Sequence, residues 1–133
     1  MVKRTVFIAA TILSLLWAGN ASAGEQVAID QGFNSFCQKW IESLNRYSKT
    51  HIRCSKENDE FVAQYSSYSA DFDSTVKKAD SGKASYIGIL KHKETKYQCK
   101  AQTCEGSLIG PFTVSGECPV TEIFMYSNGS WER

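Results

Sequence analysis

A chain of 133 residues carrying 15 basic and 14 acidic side chains has a formal charge of +1. That is too little field to draw it onto nucleic acid or an anionic membrane surface. At 42% hydrophobic residues it has the composition of a globular protein, and its length suits one domain.

The N-terminus sets the expected compartment. Met1-Val-Lys-Arg4 is basic, Thr5 to Gly19 is uncharged and mostly apolar, and Ala21 and Ala23 put small residues at the two positions a signal peptidase reads. The pattern predicts a secretory signal peptide over residues 1–23, cleaved between Ala23 and Gly24. The competing reading is an uncleaved anchor: the uncharged run could just cross about 30 Å of hydrocarbon, but its end is small and polar. Position 24 is glycine rather than cysteine, which argues against a lipoprotein. The expectation is therefore an exported protein, periplasmic or secreted, with one domain over residues 24–133. Loss of Lys3 and Arg4 would leave 13 basic against 14 acidic residues, a formal charge of −1. In an oxidising compartment Cys37, Cys54, Cys99, Cys104 and Cys118 are disulfide candidates first. Two bridges and one odd thiol can be drawn in about fifteen ways.

From Asp30 the apolar period becomes helical. Phe33, Phe36, Cys37, Trp40, Ile41 and Leu44 follow steps of three and four, with Lys39, Glu42, Ser43, Asn45 and Arg46 on the other side. The spacing predicts a helix over 31–47, capped by Asp30 and with Arg46 and Lys49 complementing the dipole of its last turn. Residues 48–60 are polar, with 52–54 either a short strand or a weak helical turn. Residues 60–68 alternate as a strand, placing Phe61, Ala63 and Tyr65 on one face and Val62, Gln64 and Ser66 on the other. A further strand over 72–78 leads to a turn at Asp80-Ser-Gly82.

Tyr86 to Cys99 is the stretch around which the sheet is expected to form. It is apolar on both faces over 86–90 and alternates from Thr95. Gly88 signals a bulge or a close backbone approach. No Gly, Pro or Asn marks a turn, so a single long strand with a bulge near His92 is favoured over a hairpin. A loop over 106–111, a strand start over 112–115, an interruption over 116–119 and a strand over 120–126 follow. Asn128-Gly129 is a turn, and Trp131 closes the core edge. The fold class is α+β: one N-terminal amphipathic helix packed on a curved antiparallel sheet of about four to five strands.

The chemistry-bearing residues are few. A bridge from Cys118 to Cys99 or Cys104 is expected, with Cys37 and Cys54 as the second pair; against that pair, Cys37 lies in the aromatic stripe, where a free cysteine acts as a small hydrophobe. His51-x-x-Cys54 with Cys99-x4-Cys104 could suit zinc, but the spacings are loose and oxidation competes for the thiols, so neither metal nor cofactor is expected. His51 and His92 are the sole histidines, and an enzyme would need one of them beside a carboxylate in a closed pocket. Neither a nucleophile elbow nor a phosphate-binding loop is present, and no catalytic residue is expected. The lysines at 77, 78, 83, 91, 93, 96 and 100 fit a charged sheet face that discourages edge pairing better than a glycan or anion site. Tyr65, Tyr86, Tyr97, Phe112, Tyr126 and Trp131 are expected as sheet-face residues or as the lining of a pocket between helix and sheet.

One amphipathic helix, then antiparallel strands ending in Thr121-Glu-Ile-Phe-Met-Tyr126 and Asn128-Gly-Ser-Trp131, resembles cystatin-like and NTF2-like domains. The resemblance implies a curved sheet wrapping a helix. The cystatin Gln-x-Val-x-Gly loop is missing, and the NTF2-like acid–base pairs have no matching positions, so neither activity is implied. The leading expectation is a small exported, non-catalytic binding or interaction domain. Its partner would be a protein or a small molecule, with no nucleic acid and no stable membrane insertion after cleavage. The alternative is an NTF2-like enzyme or ligand carrier using the aromatic pocket, with His51 or His92 as base.

Overall fold

A computed structural model describes residues 18–80, 82 and 84–133, with side chains from residue 23. Most of the expected signal peptide, residues 1–17, and the middle of the 80–82 turn lie outside the described residues.

The first helix, α1, spans Ala18–Thr50. It extends the predicted 31–47 at both ends and runs across the expected cleavage point. Asp30 is therefore not its cap: it sits inside the helix and accepts a hydrogen bond from Gln26 Nε2 at 2.9 Å, one turn back. No proline stands between Gly24 and Ile29 to stop the helix. The apolar stripe is as expected, with Phe33, Cys37 and Ile41 fully covered and Phe36 and Trp40 partly so. No helix among the described residues is long and apolar enough to cross a membrane.

Six antiparallel strands form one curled sheet: β1 Arg53–Glu57, β2 Glu60–Tyr68, β3 Asp73–Lys78, β4 Tyr86–Ala101, β5 Thr113–Ser127 and β6 Ser130–Glu132. The order is β1-β2-β4-β5-β6, with β3 also on β4. β4 is the single long strand the sequence suggested. β5 pairs along one side of it, while β2 covers residues 94–101 and β3 covers 86–91 on the other. Two turns with positive φ at both central residues, Asn58-Asp59 and Asn128-Gly129, close the β1–β2 and β5–β6 hairpins.

α1 lies on the face that carries Leu90, His92, Glu122 and Phe124. The aromatic core joins Phe33, Phe36 and Trp40 to Phe124 at ring separations of 6.1, 5.0 and 5.3 Å. At Gly88 helix and sheet come close: a Cβ there would overlap the ring of Phe33. Its register with Val76 and Phe124 is unbroken, so of the two readings of this glycine the close approach is correct.

Three local expectations are corrected. The irregularity in β4–β5 pairing falls at Lys96/Tyr97, not at His92, and the extra residue is Ser115 on β5. β5 runs unbroken through 116–119; among the described residues no strand pairs with its far side there, so Pro119, opposite Lys93, disturbs only one ladder. The supposed loop at 106–111 contains a second helix, α2, over Cys104–Ile109. Thr103 caps it by accepting the Gly106 N–H at 3.0 Å, and Gly110 at φ 88° ends it. Six residues are too few to display a helical period.

Candidate functional site

Parity along the strands decides what meets what. Cys54 pairs with Ala63, and Ala63 with Cys99, so all three lie on the face away from α1, where α2 packs. Cys118 pairs with Glu94, on the α1 face. The expected bridges from Cys118 to Cys99 or Cys104 and between Cys37 and Cys54 are not formed; the bridge is Cys54–Cys104, tying β1 to α2 with Cα atoms 5.6 Å apart. Cys37, Cys99 and Cys118 carry free thiols. Cys37 lies in the core, where burial and then the Glu122 carboxylate push its thiol up to about 12. Cys99 is beneath α2, with Sγ 4.0 Å from the Gly106 carbonyl. Cys118 Sγ is 3.5 Å from Glu94 Oε2.

With Cys54 and Cys104 bridged, the zinc set considered from the sequence lacks two of its three thiolates, and no group of three or more ligating side chains is poised for a metal among the described residues. Thiol titration of unreduced, denatured protein is expected to count three thiols, and five after reduction. Opening a bridge of sequence separation 50 should lower stability by about 2–4 kcal/mol, as read by denaturant melts.

The six candidate aromatics do not share one pocket. Tyr65 stacks on Tyr97 at 5.0 Å, with Phe112 edge-on at 5.0 Å, on the α2 face. Tyr86, Tyr126 and Trp131 form a second group on the α1 face, where Trp131 reaches Phe33 at 4.5 Å and the Tyr86 hydroxyl donates to Glu25 at 3.1 Å.

Two other places hold the chemistry. The first is a buried polar group brought together by the β4–β5 register, which sets Glu122 opposite Leu90, two residues before His92. His92 Nε2 meets Glu122 Oε2 at 3.0 Å, and Trp40 Nε1 donates to the same oxygen at 3.0 Å. Arg133 stands 3.7 Å from Oε1. The side chains of His92 and Glu122 are 0% and 7% exposed, and His92 Nδ1 has no hydrogen-bond partner. A histidine does lie beside a carboxylate, and both side chains are buried, with Glu122 reaching the surface only beside Arg133. A surface cleft of about 380 Å³ at Asp71–Asp73 and Lys91–Lys93 is lined by His92 and not by Glu122.

The second is a cleft of about 300 Å³ between the C-terminal turns of α1 and the sheet. α1 contributes Leu44, Tyr47, Ser48 and His51; β2 contributes Gln64, Tyr65, Ser66 and Tyr68; β4 contributes Lys96. Asn45 fixes the walls by pairing with the Tyr68 backbone twice, at 2.9 and 2.7 Å, and Ser48 Oγ accepts the Ser66 N–H at 2.8 Å. His51 stacks on Tyr47 at 3.9 Å, and its Nδ1 is occupied by the Tyr47 carbonyl and Thr50 Oγ1, each at 2.9 Å. Ser66 Oγ donates to Glu94 Oε1 at 2.6 Å. Burial, and next the Glu94 carboxylate, hold the Tyr68 phenol above its usual range, so it stays a neutral donor. Of the sequence candidates His51, Tyr65 and Lys96 line this cleft, and nothing in the sequence grouped them. The signal, an amphipathic helix end rich in Tyr, Ser and His facing a Gln/Ser strand, is too common to stand out.

Comparison of the chain with protein-family models, with curated proteins and with solved structures finds no match.

Proposed function

We propose that the chain is an exported, non-catalytic binding domain that takes a small aromatic anion in the cleft between α1 and β2. The carrying observation is the make-up of that cleft: the Tyr47 and Tyr68 rings, hydroxyl and amide groups from Ser48, Ser66 and Gln64, and the Lys96 ammonium at one side. Apolar faces with a few convergent polar groups are what small-ligand sites use. Export rests on the N-terminal pattern and accords with the Cys54–Cys104 bridge. A non-catalytic role rests on the two histidines, one hydrogen-bonded to its own helix end and the other closed within the core. A helix lying on a curled sheet accords with a cystatin-like or NTF2-like form, and the cleft accords with the ligand-carrier side of the latter.

The test is a nuclear magnetic resonance titration with benzoate and 4-hydroxybenzoate as probes. Shifts are expected at Tyr47, His51, Ser66 and Lys96, and Lys96→Gln should weaken binding about fivefold or more, the worth of one charge-assisted contact. No response to either probe, or shifts confined to the far face of the sheet, would remove the proposal.

A further inference from the structure

The sheet face away from α1 is covered by α2 only at its β1–β2 end. At the opposite end the register stacks residues into rows across the strands. Lys77 of β3 pairs with Ile87 of β4, Ile87 with Met125 of β5, and Met125 with Glu132 of β6. One row thus runs cation, apolar, apolar, anion. The next row sets Thr75 beside Ile89 and Ile89 beside Ile123. Ile123 is 59% exposed and Met125 49%, and Lys77 and Glu132 are exposed. With half-buried Ile87 and Ile89 beside them, Ile123 and Met125 make a contiguous apolar patch of four side chains with opposite charges on its two flanks.

We propose that this face binds a second copy of the same chain, sheet against sheet, about a two-fold axis parallel to the strands and midway between β4 and β5. Such an axis exchanges the two flanks. Lys77 of each copy then faces Glu132 of the other, Ile87 faces Met125, and Ile89 faces Ile123. Further along, Lys91 falls opposite Thr121, Lys93 opposite Pro119, and Thr95 opposite Glu117, so no row opposes like charges. An axis across the strands would instead gather both Lys77 side chains on one flank and both Glu132 side chains on the other, which is repulsive. Isologous contacts of this kind close at two copies.

The geometry tolerates sheet twist. Lys77 and Glu132 stand about one and a half strand spacings from the axis, roughly 7 Å. The usual crossing angle of about 30° between packed sheets displaces the facing charges by about 4 Å, which long side chains absorb. The apolar four form the dry centre and the charges the rim, the usual layering of a specific interface. The ligand cleft is on the other face of the sheet, so this association does not depend on it.

Sedimentation equilibrium of the oxidised protein, from about 1 µM to 1 mM, is expected to show monomer passing to dimer. Ile123→Lys should leave the thermal melt of the monomer in place and abolish the dimer. Lys77→Glu alone should weaken association about tenfold, because it puts like charges opposite each other twice, and Lys77→Glu with Glu132→Lys should restore it to within about threefold. A monomer throughout the range overturns the proposal. So does a dimer that survives Ile123→Lys, or a double reversal no stronger than the single one.

Discussion

Phe124→Ala is expected to lower the stability of the domain by about 3–5 kcal/mol, the range for deleting a buried aromatic side chain. Phe124 is 0% exposed and forms the floor on which Phe33, Phe36 and Trp40 rest, with edge contacts to the last two at 5.0 and 5.3 Å. Gly88, beside Phe124 in the register and beneath the Phe33 ring, has no side chain to fill the cavity, and the surrounding rings relax into it only partly. With a total stability of about 5–15 kcal/mol for a domain of this kind, the variant should melt far earlier or fail to fold at ambient temperature. Denaturant unfolding monitored by tryptophan fluorescence measures it. A loss under about 1 kcal/mol would mean that α1 is not seated on β5 as described.

Glu122→Ala is expected to be similarly damaging, about 3–5 kcal/mol, for a different reason. The carboxylate satisfies Trp40 Nε1 and His92 Nε2 together, and removing it leaves both donors beneath the helix without a partner. Apolar replacement of both members, as in Glu122→Met with His92→Phe, should recover a large part of the loss, since a buried polar pair gains little over well-packed hydrophobes. If the double variant is as unstable as Glu122→Ala, the loss comes from Trp40 Nε1, which both variants leave without its acceptor. Glu122 also bears on Cys37, whose thiol stands at about 12 in the folded chain against an ordinary value of 9.0. Native Cys37 should therefore resist alkylation at pH 8, whereas half-exposed Cys118 should react. Because the folded thiol holds its proton more tightly than the unfolded one, this group's contribution is complete below pH 9 and is lost as the pH rises from about 9 towards 12.

What was legible in the chain is what depends on neighbours in sequence. The stripe from Phe33 to Leu44, the alternation over Glu60–Tyr68, the absence of turn residues in Tyr86–Cys99 and the Asn128-Gly129 turn each carry their period or their backbone requirement locally. From them an α+β fold with one helix on a curled antiparallel sheet followed, and the sheet proved to have six strands rather than four or five. The illegible parts were set by contacts between distant residues. Pro119 and Gly116 looked like breaks because their tolerance depends on β5 having a neighbour on one side only over that stretch. α2 was hidden because a six-residue helix has no period to show.

The cysteines mark the division most clearly. Composition and the N-terminal pattern were enough to expect a disulfide, and one is present between Cys54 and Cys104. Which thiols meet was beyond any local rule: it depends on the register that puts Cys54, Ala63 and Cys99 on one face and Cys118 on the other. The same holds for His92 beside Glu122, thirty residues apart, and for Lys77, Ile87, Met125 and Glu132 in one row. Period is a property of a segment, whereas facing is a property of register, and only the paired strands supply register.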